Sequence, residues 1–206
     1  MRFFAATIGF LLLTSCAANT APTRQNSANA HVSSSASIVA DRDIPLPSTE
    51  SRLTPLEFGL YVTPDPAQNP IDPPERFTGY HTGLDIEILS DEEHEEVPVS
   101  ALCDGSIVFS DEAEGYGGVV VQTCTVDDQD VTVLYGHLLL SSLVPIERHI
   151  VRGQRIGMLA PARSRDSGQT RKHLHIGIHK GSHIELLGYV TDASFLQEFI
   201  DPSTLL

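Results

Sequence analysis

A chain of 206 residues has room for one domain of ordinary size plus an appendage, and 41% hydrophobic residues are enough for a packed core. Fifteen Gly, thirteen Pro and no Trp point to a turn-rich β protein rather than a helical bundle. A formal net charge of −14 excludes nucleic acid as a partner, because two polyanions repel.

At the start of the chain, Arg2 precedes an apolar run from Phe3 to Leu13, followed by Thr14-Ser15-Cys16. The run is too short to span a bilayer as a permanent helix, so residues 1–15 read as a cleaved export signal. The small residues before Cys16 resemble the lipobox of bacterial lipoproteins, in which that cysteine is acylated and becomes the new N-terminus. An ordinary secretory signal with an unrelated cysteine is the alternative. Ala17 stands where Asp would resemble an inner-membrane retention signal. The expected location is therefore the bacterial cell envelope, lipid-anchored and, where there are two membranes, on the outer one facing the periplasm. Residues 16–51 are rich in Ser, Ala, Asn and Thr and have almost no aliphatic periodicity, so they read as a disordered tether. Its root-mean-square reach is roughly 30–35 Å.

The folded part is expected over residues 52–206. Thr63 to Pro74 is Pro-rich and reads as a loop. Short β-like runs follow at Leu84–Ile88, Val97–Leu102, Ser106–Ser110, Gly118–Gln122, Val131–Leu138, Arg155–Leu159, Leu174–Ile178 and His183–Leu187. The acidic run Asp91 to Glu96 between the first two reads as a solvated loop. Asp192–Ile200 is the one amphipathic helical segment. The fold expected is mostly β, an antiparallel sheet or sandwich-like domain with a short C-terminal helix. Cys103 and Cys124 lie near the ends of two apolar runs joined by a Gly-rich turn. In an oxidising compartment a disulfide across a hairpin is one reading, and two buried free thiols are the other.

Three groups of residues suit metal chemistry. His81-Thr82-Gly83-Leu84-Asp85 sets an imidazole and a carboxylate four apart, on one face of a strand if Gly83 lets the chain curve. That spacing is unspecific by itself. In His173-Leu174-His175 the two imidazoles share a strand face, while Leu174, Ile176 and Ile178 alternate toward a core. Tyr135-Gly136-His137-Leu138 ends an apolar strand in a histidine. His179 shares the parity of His173 and His175 and reads as a supporting or surface residue; His94, His149 and His183 read as solvated, and His31 lies in the tether.

Together these pieces resemble the LytM-type, lysostaphin-like zinc peptidases of peptidoglycan (peptidase family M23). The family pattern is His-x3-Asp, then Tyr-x-His-Leu, then His-Leu-His, and all three occur here in order. Family-like stretches lie between them: Val99-Ser100-Ala101, Asp104 to Val108, Gly115-Tyr116-Gly117 and Val151 to Gly157. The resemblance spans about Gly79 to Ile178 and implies a LytM-type fold. It implies that His81, Asp85 and His175 bind one Zn²⁺ per domain, and that His137 and His173 flank the open position as catalytic groups. Two His nitrogens and one carboxylate oxygen suit zinc, and three protein ligands leave a catalytic position open. Which of His137 and His173 takes the proton is left open. Residues 160–172 depart from the pattern: where family members carry a Gly/Ser-rich stretch, this segment is longer and strongly basic. The Pro-rich approach from Asn69 to Arg76 is also unusual and would cover one end of the groove.

The function implied is zinc-dependent hydrolysis of the peptide cross-links of bacterial peptidoglycan, in cell-wall remodelling. The implied partners are peptidoglycan, a membrane reached through the lipid on Cys16, and a regulatory envelope protein. A catalytically silent LytM-like activator of a cell-wall amidase is the first rival. Such domains lack some ligand positions, which are all filled here. A zinc peptidase acting on a protein substrate, such as a released weapon, is the second, and a lipid anchor argues against release.

Overall fold

Strands that bury one face need a second layer to bury it against. The computed structural model describes Arg52, residues 56–71 and residues 75–206. The expected export signal, Cys16 and the tether lie outside the described residues. Seven strands form the main sheet, in the order β12 (Phe199–Ile200), β10 (His173–Lys180), β7 (Gln129–Leu138), β6 (Gly117–Val126), β5 (Gly105–Ala113) and β8 (His149–Ile150). The seventh, β3 (Gly83–Glu87), shares with β12 the edge of β10 opposite β7. A three-stranded sheet joins β1 (Tyr61–Val62), β2 (Gly79–His81) and β11 (Tyr189–Val190), and β4 (Pro98–Ser100) pairs with β9 (Arg155–Met158). All these pairs are antiparallel.

Alternation along the strands decides what each face of the main sheet does. Leu84 and Ile86, Val131, Val133 and Tyr135, and Leu174, Ile176 and Ile178 turn to one side. There they meet Val99 of β4 and Ile156 of β9 in the main core. Tyr135 keeps its hydroxyl satisfied inside that core, donating to Gln122 Oε1 at 3.1 Å and accepting from Leu102 N at 2.8 Å. The other face carries Asp85, His173 and His175, beside a smaller cluster of Tyr116, Val119, Val121 and Leu134. Cys103 and Cys124 are joined by a disulfide with Cα atoms 6.0 Å apart.

Two expected elements differ. His183–Leu187 is not a strand; the chain pairs only from Tyr189, as β11. The Glu185 carboxylate takes the Leu187 N–H at 2.9 Å, a local bond that competes with a ladder. The C-terminal helix is a 3-10 turn over Ala193–Glu198, with Asp192 capping Ser194 N at 2.8 Å. Phe199 and Ile200 leave it to pair with His179 and Ile178, so strand pairing overrides the helical period. The acidic run is a turn, tied down by its backbone. Lys172 Nζ donates to the carbonyls of Glu92 and Glu95 at 2.8 and 2.6 Å, and Arg52 Nη2 bonds Glu92 Oε1 at 2.8 Å.

Candidate metal centre

The strands bring five sequence-predicted residues to one cleft: His81, Asp85, His137, His173 and His175, all buried. His81 and Asp85 do not share one strand. The chain leaves β2 after His81 and enters the main sheet at Gly83, switching sheets at Thr82. Thr82 is held by the far wall, its N–H on Gly188 O at 3.0 Å and its hydroxyl on Leu187 O at 2.6 Å. Gly83 is required there, since a Cβ would lie 2.5 Å from Ile176 O and 2.7 Å from the His175 ring. Register then sets Asp85 opposite His175 on β10, with Gly136 of β7 opposite His175 on the other side.

Three atoms converge. His81 Nε2 is 3.0 Å from His175 Nδ1 and 3.4 Å from Asp85 Oδ1, and His175 Nδ1 is 3.1 Å from that same oxygen. A tetrahedral site with bonds of about 2.0 Å has ligand–ligand edges of about 3.3 Å, so these residues fit a zinc ion. The outer contacts select lone pairs for the centre. A carbonyl only accepts, so His81 donates Nδ1–H to Glu57 O at 3.2 Å and leaves Nε2 bare. His175 has its other nitrogen, Nε2, 3.2 Å from the Tyr116 hydroxyl. Asp85 keeps Oδ2 apart from this centre, bonded by Arg171 Nη2 at 2.7 Å and 3.1 Å from His173 Nε2.

Burial penalises the Asp85 charge, yet the surrounding His173, His81 and His175 outweigh it and hold the carboxyl well below the usual range. Burial lowers His175 to about 4, against the pull of Asp85. Burial, then the neighbouring His173 and His175, lower His137 well below its ordinary value. Both imidazoles are therefore neutral at pH 7.

His137 and His173 flank the three-atom centre, their ring centroids 4.4 Å apart. His137 adopts φ of 63°, a left-handed conformation rare for a residue with a Cβ, next to a bulge in the β6–β7 ladder. The kink turns the ring into the cleft, where Nδ1–H faces the carbonyls of Tyr116 and Ser167 at 2.9 and 3.0 Å. His173 Nδ1–H donates likewise to Arg171 O at 3.0 Å. Each ring thus turns Nε2 inward.

The cleft holds about 300 Å³. Its walls include Phe77 stacked on Tyr189 at 5.2 Å, and the segment Leu186 to Tyr189. Glu75 of the Pro-rich approach, and Phe77 and Thr78 just after it, are among the lining residues. The basic segment 160–172 does border the cleft, through Thr170 and Arg171. Three of its four cations are engaged: Arg171 pairs with Asp85, Glu87 and Glu75, Arg165 with Glu112, and Lys172 caps the acidic turn. Sequence reasoning missed Arg171 as the partner of Asp85 and gave Tyr116 no part in orienting His175. Both depend on contacts across strands that leave no mark on local spacing. His94, His149 and His183 are exposed as expected, whereas His179 is buried.

The sequence model of peptidase family M23 matches residues 79–186. Among solved structures, the chain is similar to LytU, at 22% identity and a TM-score of 0.47, over 74% of this chain and 82% of that one. It is similar to Helicobacter pylori Csd3 at 23% identity and a TM-score of 0.42, over 69% of this chain and 33% of Csd3. The chain therefore spans about a third of Csd3's length. No curated protein matches the sequence.

Proposed function

The chain belongs to peptidase family M23, and on that premise we propose that it is a zinc-dependent endopeptidase that hydrolyses the peptide cross-links of bacterial peptidoglycan in cell-wall remodelling. The observation that carries this reading is the convergence of His81 Nε2, Asp85 Oδ1 and His175 Nδ1 within 3.4 Å, flanked by two further imidazoles. Those three residues would hold the ion. When bound, zinc supplies Lewis acidity, lowering the pKa of a bound water and polarising a carbonyl.

The chain's own groups do the rest. His137 commits Nδ1–H to the carbonyls of Tyr116 and Ser167, which fixes its tautomer and offers an Nε2 lone pair to the cleft. His173, with Nδ1–H on Arg171 O, instead holds its Nε2 3.1 Å from Asp85 Oδ2 at the edge of the cleft. Between them they take the proton from the attacking water, return it to the leaving amine, and donate to the oxyanion once protonated. Arg171 and Tyr116 orient two of the ligands from behind. Phe77 and Tyr189 form an apolar wall against which a peptide can lie and exclude water.

Digestion of purified sacculi with the zinc-loaded protein, with products read by mass spectrometry, tests this. New products carrying one added water at a peptide bond are expected, and their masses identify the bond. Intact sacculi in the presence of stoichiometric zinc would favour the silent activator of an amidase.

A further inference from the structure

A second group of metal-type side chains lies on the strand that carries His173 and His175. His179 follows on β10 with the same parity, and His183 and Glu185 come from the loop after it. One ligand atom from each lies within 4.8 Å of the other two. His179 is 6% exposed, and its buried Nδ1 makes no well-formed hydrogen bond among the described residues, the adjacent Lys180 backbone offering at most a poorly aligned one. Buried polar atoms are almost always paired, so one without a well-formed bond in this position points to a missing ligand. The His179 and His183 rings are 4.1 Å apart, and Phe199 closes the site with its ring perpendicular to His179 at 5.0 Å.

The remaining members are held by the scaffold. Thr132 Oγ1–H bonds His183 O at 3.0 Å, which fixes the backbone that presents the imidazole. Glu185 Oε1 takes the Leu187 N–H at 2.9 Å, which orients the carboxylate and leaves its second oxygen available. We propose that His179, His183 and Glu185 form a second divalent-cation site, of the zinc class, separate from the centre at His81, Asp85 and His175. The donor set is two imidazole nitrogens and one carboxylate oxygen, which suits zinc better than the oxygen-only shells of calcium or magnesium. The spread of up to 4.8 Å exceeds the edge of about 3.3 Å in a tetrahedral site, so binding requires a rotamer adjustment among the ligand side chains, for which the exposed His183 has room. Water completes the shell on that open side.

The position gives such an ion a purpose. Directly after Glu185 come Leu186, Leu187, Gly188 and Tyr189, which line the catalytic cleft. Leu187 and Gly188 also hold Thr82, where the chain crosses between His81 and Asp85. An ion on His179, His183 and Glu185 fastens this wall to β10 at its free end. This site does not depend on the chain being a peptidase.

The test uses the full chain, stripped of metal, equilibrated with Zn²⁺ and desalted, with zinc counted by elemental analysis. His183→Ala removes an exposed ligand, and Glu185→Gln preserves shape and the bond to Leu187. Each variant is expected to carry one zinc fewer per chain than wild type, with an unchanged far-ultraviolet dichroism spectrum. Equal zinc in wild type and both variants overturns the site. In zinc-loaded protein, the Leu187 and Gly188 amides are expected to exchange faster in His183→Ala than in wild type. Equal rates overturn the fastening of the wall. Because the readout is a difference of one ion, it is independent of whether the first centre is filled or active.

Discussion

His173 and His175 face one cleft from one strand, yet their nitrogens are engaged differently. His175 turns Nδ1 toward His81 and Asp85, whereas His173 turns Nδ1 back onto its own chain at Arg171 O. His175→Ala should therefore carry one zinc fewer than wild type by elemental analysis and melt earlier, because metal binding is linked to folding. His173→Ala and His137→Ala should keep near-stoichiometric zinc while the rate on sacculi falls by about 10² or more. Loss of metal from His173→Ala with retention in His175→Ala would reverse the roles. The same residues give the metal-free protein a pH dependence. Burial lowers His175 to about 4 and His137 well below its ordinary value, whereas both titrate near ~6.5 once unfolded. Below ~6.5 the unfolded chain binds more protons than the folded one, so stability is complete above that pH and declines as pH falls toward the folded values. Urea melts of the metal-free protein should lose about 2 kcal/mol per pH unit between pH 6.5 and 4.5, about one from each imidazole. A flat profile there would show that the imidazoles are not buried neutral.

At the scale of elements, the site depends on two irregularities in otherwise regular strands. The crossing at Thr82 lets His81 and Asp85 approach one point from two different sheets, and the bulge at His137 turns a strand end inward. Regular pairing around them holds both in place. The β5–β6 hairpin is additionally closed by the Cys103–Cys124 disulfide, with a sequence separation of 21. Cross-linking a loop of that length restricts the unfolded chain and is worth about 3 kcal/mol on the chain-entropy estimate. The double variant Cys103→Ala/Cys124→Ala should lose stability by that order in denaturant melts. Alkylation of denatured, unreduced protein from an oxidising compartment should modify neither thiol of the wild type. Modification of both would mean that they are free.

For the whole molecule, the proposed function requires an exported chain held near its polymer substrate. Residues 1–16 motivate a lipid anchor on the envelope, through an apolar run that ends at Thr14-Ser15-Cys16. A tether over residues 16–51 would then let the domain search roughly 30–35 Å from the membrane. Cells fed a clickable fatty acid should label the wild type and not Cys16→Ser. Equal labelling of the two would end the lipoprotein reading.

Local periodicity was sufficient for the parts that repeat along the chain. Alternation along Val131–Leu138 and Leu174–Ile178 marked strands of the main sheet, and the parity of His173 and His175 followed from the same period of two. The three histidine-bearing motifs carried the family, because their residue types and order are legible without coordinates. What the tertiary structure alone decided are contacts between elements distant in sequence. Strand register put Asp85 opposite His175, 90 residues away. Arg171 reached Asp85, Glu87 and Glu75, and so compensated one cation of a segment that reads as strongly basic. Two-residue strands such as β11 and β12 are too short to show a period, and they form only because β2 and β10 offer free edges. His179 looked peripheral by its distance along the strand, and burial against Phe199 gave it an environment that its neighbours in sequence do not reveal.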